Sequence, residues 1–113
     1  MIYTSYMDVT DEQIAKQKKS LHSALFWLLL YRDPETCDKY QYVDVDKYIG
    51  GLMLRIGGLN ELFGRPSELV TLLSVLQAIK DENLKTDFDY HTYRKLVLDA
   101  HSLVDKIGGG SNV

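Results

Sequence analysis

Residues 90–107 read YHTYRKLVLDAHSLVDKI, and within them Tyr93, Leu96, Val97, Ala100, Leu103, Val104 and Ile107 recur at spacings of three and four. On a helical wheel these positions fill one arc of roughly 120°, the width of an apolar stripe that faces a core. The stretch therefore predicts an amphipathic helix that must bury one side against neighbouring elements. Lys106 complements the dipole near the carboxyl end and Gly108 ends the helix, leaving residues 108–113 as a flexible tail.

Upstream, the same signals mark three further helices. Thr10 followed three positions later by Gln13 is a capping box, and the first helix runs from Asp11 to Arg32. Asp33-Pro34 stops it, because proline disfavours helical geometry in the residue before it. A second helix starts near Asp44 or Asp46 and ends at Phe63, with Gly64 placed for a left-handed cap. Pro66 suits the first turn of a third, which continues through Leu69, Leu72, Leu73, Leu76 and Ile79 to about Glu82, and Asn83 to Asp87 form the next turn. Residues 1–8 show no periodicity and are expected to be a flexible arm or a short strand. Tyr40 to Val45 alternate as a strand does, so a ribbon with Ile2 to Tyr6 is a minor alternative. Short connections place consecutive helices side by side. The expected fold is all-α, an antiparallel four-helix bundle-like single domain spanning 1–113.

Composition agrees with one packed domain. The chain has 113 residues, 45% hydrophobic and 26% charged, enough for one core and outside the composition of disordered chains. The net charge of −3 arises from 16 acidic and 13 basic side chains spread along the chain. Only Lys16, Lys18 and Lys19 cluster, so a phosphate-backbone partner is not expected. The single cysteine, Cys37, excludes an internal disulfide, and with no signal sequence in view it points to the cytoplasm. The longest apolar run, Ala24 to Tyr31, falls far short of the roughly 20 residues a bilayer requires, so no membrane association is expected.

Two features depart from a plain bundle. In the first helix Ile14, Leu21, Leu25, Leu28 and Leu29 build one apolar face, yet Phe26, Trp27 and Leu30 project from the other side. Exposing each would forgo on the order of 1.5–3 kcal/mol of burial energy, and a contiguous patch of this kind marks an interface. Cover by Ile2, Tyr3, Tyr6 and Met7 of the arm is the intramolecular alternative. The second helix contains Gly50-Gly51 and Gly57-Gly58, each interior glycine costing about 1 kcal/mol relative to alanine. The favoured expectation is a helix broken at Gly57-Gly58. An unbroken helix would instead stack Gly50 above Gly57 and Gly51 above Gly58, two smooth strips flanking Leu54 against which another helix could lie.

Residues carrying chemistry are sparse. Leu59, Phe63, Gly64, Val70 and Leu73 have helix-turn-helix spacing over 59–76, but Asn60 and Arg65 stand at unfavourable positions and the would-be reading helix from Pro66 to Leu76 offers no lysine or arginine. His22, His91 and His101 are far apart in the chain and fit no metal-binding pattern, and Asp44 and Asp46 begin a calcium loop that lacks its later ligands. Asp87 and Asp89 are expected as caps of the last helix. Cys37 stands in an acidic loop, His101 and Asp105 are one turn apart and suit a surface pair, and neither a nucleophile elbow nor a phosphate cradle is present. No metal or cofactor is therefore expected. The expected function is a non-enzymatic protein-interaction module, self-associating and homo-oligomeric or acting as an inhibitor or small accessory protein on a larger partner. Phe26, Trp27 and Leu30 are its anchors, with Leu54, Gly50 and Gly57 as a secondary surface. A helix-turn-helix DNA binder and an enzyme with an unrecognised site are the alternatives.

Overall fold

The computed structural model describes residues 2–3, 8–63 and 67–107. Four helices, α1 (Asp11–Arg32), α2 (Val45–Leu62), α3 (Ser67–Asn83) and α4 (Tyr90–Asp105), carry the fold, and a 3-10 turn, Cys37–Tyr40, lies in the α1–α2 connection. A two-residue antiparallel pair, β1 (Ile2–Tyr3) and β2 (Asp8–Val9), precedes them, with Ile2 opposite Val9 and Tyr3 opposite Asp8. The N-terminal segment thus pairs with itself. Residues 40–45 are not a strand, because Tyr40 closes the 3-10 turn and Asp44 is already the cap of α2. The Gly64 cap, Pro66 and the tail from Gly108 onward lie outside the described residues.

Helix starts are set by side chains that satisfy orphan backbone donors. Thr10 Oγ1 accepts from Gln13 N at 3.1 Å while Gln13 Oε1 accepts from Thr10 N at 2.8 Å, the reciprocal capping box. Asp44 caps α2 through Lys47 N, and Asp89 caps α4 through Thr92 N. The Asp33 amide closes α1 on the Leu29 carbonyl immediately before Pro34.

The helices form an antiparallel bundle in which α4 lies between α1 and α3, and α3 between α4 and α2. Lys80 near the end of α3 pairs with Asp46 near the start of α2 at 2.9 Å, so these two helices run antiparallel along their length. The core is a continuous cluster of Leu21, Leu25 and Leu28 from α1, Ile49, Leu52 and Ile56 from α2, Leu69, Leu72, Leu76 and Ile79 from α3, and Tyr93, Val97, Ala100 and Val104 from α4. Tyr93 is fully buried and keeps its hydroxyl satisfied by donating to the Leu28 carbonyl at 2.7 Å. Burial pushes that hydroxyl well above the usual tyrosine range.

The expected break at Gly57-Gly58 does not occur: α2 is continuous from Val45 to Leu62. Val45, Ile49, Leu52, Ile56 and Leu59 are all buried on one side of it. At about 1.5–3 kcal/mol for each such side chain, their burial outweighs a glycine cost of about 1 kcal/mol apiece. Tertiary packing therefore decides this helix against local propensity.

Candidate functional site

The outer side of α1 carries the largest aromatic exposure on the described helices. Phe26 is 53% exposed and Trp27 39%. Leu30 is half-buried, and the Thr36 hydroxyl donates to its carbonyl at 2.7 Å. Trp27 stacks on Tyr31 with ring centroids 5.9 Å apart and meets the edge of Tyr40 at 5.9 Å. Tyr31 in turn packs edgewise on Tyr40 and Tyr48. The α1–α2 connection thus reaches back over one flank of Trp27 through Tyr40, a partial cover that the sequence does not reveal. The side chains of Ile2, Tyr3, Tyr6 and Met7 lie outside the described ones. Phe26 and the outer edge of Trp27 are left facing solvent.

Next to Trp27 the surface falls into an open groove of about 460 Å³ along the α1–α2 seam. Lys16, Lys19, Ser20 and Ser23 form its α1 side and Arg55 of α2 its far wall. Arg55 Nη2 donates to Gln17 Oε1 at 3.0 Å and to Ser20 Oγ at 2.8 Å, and the Tyr48 hydroxyl donates to the Ala24 carbonyl at 2.9 Å. These ties span a seam in which α1 and α2 backbones approach over only a short stretch.

The second surface singled out from sequence lies on the back of α2. Leu54 is 81% exposed, Gly51 and Gly58 are exposed, and Gly50 and Gly57 are half-buried. A Cβ added at any of the four would meet nothing within 4 Å. The strips are smooth and open, as an unbroken helix requires.

A contact that sequence spacing does not suggest joins α1 to α4. His22 Nδ1 lies 2.7 Å from His101 Nδ1, and His22 Nε2 lies 2.7 Å from Asp105 Oδ1. The imidazole planes differ by only 9°, and the short nitrogen separation makes this a hydrogen-bonded pair rather than simple ring stacking. Asp105 fixes the proton on His22 Nε2, so with both rings neutral His22 Nδ1 accepts from His101 Nδ1–H. Burial, then the neighbouring His22, hold His101 below the ordinary histidine range, against a smaller opposing pull from Asp105. Lys18 closes the same corner by donating to the Asp105 carbonyl at 2.8 Å. The surface pair expected between His101 and Asp105 is thus replaced by one between His22 and Asp105. Spacing along α4 could not reveal it, since the intervening ring comes from α1.

Other residues singled out from sequence lie away from these surfaces. Asp89 is a cap. Glu82, which nothing in the sequence singled out, is only 4% exposed and accepts from the Asp89 amide at 3.0 Å and from Lys85 Nζ at 3.1 Å, fastening the α3–α4 turn. These donors hold its carboxyl below the usual range. Within the 59–76 stretch, Leu59–Leu62 end α2 and residues 67–76 belong to α3, which presents Ser67, Val70, Thr71 and Ser74 outward. Among the described residues no group of three or more His, Cys, Asp or Glu is arranged to hold a metal ion, and no helix is long and apolar enough to cross a membrane. No protein-family model matches the chain, and neither a curated protein nor a solved structure matches it significantly.

Proposed function

We propose that this chain is a non-enzymatic protein-interaction module that docks through the outer side of α1, and that the partner is a second copy of the same chain. The observation that carries this reading is the solvent-facing pair Phe26 and Trp27 on a helix whose opposite side already fills the core. Aromatic side chains so placed gain on the order of 1.5–3 kcal/mol each when covered, and Trp and Tyr dominate interface energies. Trp27 is held by Tyr31 and Tyr40, so it would lose little rotamer freedom on docking.

Charge favours a second copy over a larger partner. A symmetric dimer makes each contact twice, residue i to j and j to i. Lys16 and Lys19 lie on α1 ahead of Trp27, and Glu35 and Asp38 lie in the connection just past its end at Arg32. Crossing two α1 helices antiparallel at Trp27 sets Lys16 and Lys19 of one copy near the carboxyl end of the other copy's α1, where the connection that follows carries Glu35 and Asp38. A larger protein using the chain as an inhibitor or accessory subunit would have to supply that acidic complement itself.

Light scattering at two concentrations tests the reading. The wild type should give a dimer mass that falls on dilution, and Trp27→Glu should be monomeric with an unchanged helical circular dichroism spectrum. Lys19→Glu should weaken the dimer and Glu35→Lys added to it should restore association. A monomer at every concentration, or a dimer indifferent to Trp27→Glu, refutes it.

A further inference from the structure

Beneath the α1–α2 connection, Arg32 lines an open cavity. Arg32 stands in the last turn of α1, with its guanidinium carbon 3.8 Å from the centroid of the Phe88 ring. Its Nε is shut off from solvent and has no acceptor. A guanidinium cannot shed its charge, and a buried donor left unpaired costs about 1–3 kcal/mol. Among the described residues no carboxylate forms an ion pair with it. The adjacent Asp33 accepts from the Glu35 amide through Oδ1 at 2.8 Å. The partial negative charge at the end of α1 supplies only about 0.3–1 kcal/mol of compensation.

The cavity beside this arginine has a volume of about 370 Å³ and is walled by Pro34, Cys37, Phe88 and Tyr90. That size lies within the roughly 300–1,000 Å³ of small-molecule sites, and the walls have the usual character, mostly apolar with few polar groups. A second space of about 280 Å³ adjoins Arg32 and Cys37 on the side of Tyr31 and Tyr40, so the connection leaves this end of the bundle unfilled on both flanks. The Tyr90 hydroxyl points to the Leu29 carbonyl and to Asp33 Oδ2, each at 3.5 Å, and leaves its ring as a wall of the cavity. Burial, then the nearby Asp33 charge, push its pKa up, so it remains an O–H donor.

We infer that this cavity binds a small organic monocarboxylate with a flat apolar body, with Arg32 as the anchor for the carboxylate. The planar fork of the guanidinium matches a carboxylate with two parallel hydrogen bonds, and its stacking on Phe88 fixes the plane in which they form. Pro34 and the Tyr90 ring receive the apolar body. A bare inorganic anion would leave those walls in contact with water.

Benzoate is the probe, with benzamide as its uncharged counterpart and inorganic phosphate as an anion without an apolar body. In titrations of ¹⁵N-labelled protein, benzoate should shift the Arg32 Nε–Hε resonance and the Cys37 amide saturably, whereas benzamide and phosphate should not. Arg32→Gln should weaken benzoate binding at least about tenfold, the loss of a charged hydrogen bond. Arg32→Lys, which keeps the charge and the packing stem, should weaken it without loss of fold. Benzamide binding as well as benzoate, phosphate producing the same shifts, or benzoate binding surviving both substitutions would each overturn the inference. Where Arg32→Gln unfolds the chain, the Arg32→Lys and benzamide results decide it.

Discussion

Two halves of the bundle solve the same packing problem differently. Where α3 meets α4, fully buried Leu72, Leu76, Ile79, Val97 and Val104 interlock along the pair, and a short turn fastened by Glu82 joins the helices. Where α1 meets α2, the backbones stand farther apart, the connection is long, and the gap is spanned by Tyr31, Tyr48 and the Arg55 ties to Gln17 and Ser20. The groove beside Trp27 borders that second side and Phe26 lies exposed on the same helix, whereas the cavity at Arg32 lies between the α1–α2 connection and the start of α4. A tight half holds the fold while a loose half keeps surfaces available.

The largest test of this contrast compares one truncation in each half. Leu76→Ala should cost about 2–5 kcal/mol, because buried methyl groups are lost and the cavity they leave stays unfilled. Arg55→Ala, which removes partly solvated hydrogen bonds, should cost about 1 kcal/mol. Urea unfolding midpoints at a concentration where the chain is monomeric measure both. Comparable losses at the two positions would mean that the α1–α2 seam is as tightly packed as the α3–α4 pair.

How far this division is legible in the sequence follows from how local its determinants are. The α4 stripe and the caps at Thr10 and Asp89 involve residues within a few positions of each other, and the structure has the caps and the stripe from Tyr93 to Val104 where the sequence predicts, although α4 ends at Asp105 and Ile107 packs from the turn beyond it. The exposed side of α1 is also legible, because Phe26 and Trp27 oppose a face already complete with Leu21, Leu25 and Leu28. Contacts between distant segments are not. Tyr40 on Trp27, Arg32 on Phe88 and His22 on His101 depend on which helices become neighbours, which no periodicity encodes. The continuity of α2 runs against expectation because local propensity and tertiary burial oppose each other there, and burial is the stronger of the two.

The histidine pair gives the comparison a pH dependence. His101 has a folded pKa below its ordinary 6.5, set by burial first and His22 second, with Asp105 pulling the other way. The unfolded chain therefore binds the proton more readily. The contribution of His101 is complete above about pH 6.5 and is lost as pH falls below that value through the folded pKa. Thermal midpoints should fall more steeply from about pH 7.5 to about 5.5 for the wild type than for His101→Asn. Since the pair joins α1 to α4, amide hydrogen exchange at the carboxyl end of α4 should accelerate over the same range. Equal slopes for the two proteins would remove His101 from the pH response.

The smallest expected effect separates the two outward surfaces on the loose half. A Cβ at Gly57 or Gly58 meets nothing within 4 Å, and both positions are helical, so alanine there should stabilise the monomer by about 0.5–1 kcal/mol through reduced chain entropy. The same methyl groups would roughen the strips beside Leu54 and obstruct a helix lying against them. Ligand-free association raises apparent stability by mass action, so the urea measurement belongs at dilute protein and the mass measurement at high concentration. Greater stability with dimer mass unchanged places the contact on α1 and leaves the back of α2 in water. Greater stability with loss of the dimer transfers the contact from Trp27 to the glycine strips, because only there would the added Cβ atoms stand between two copies.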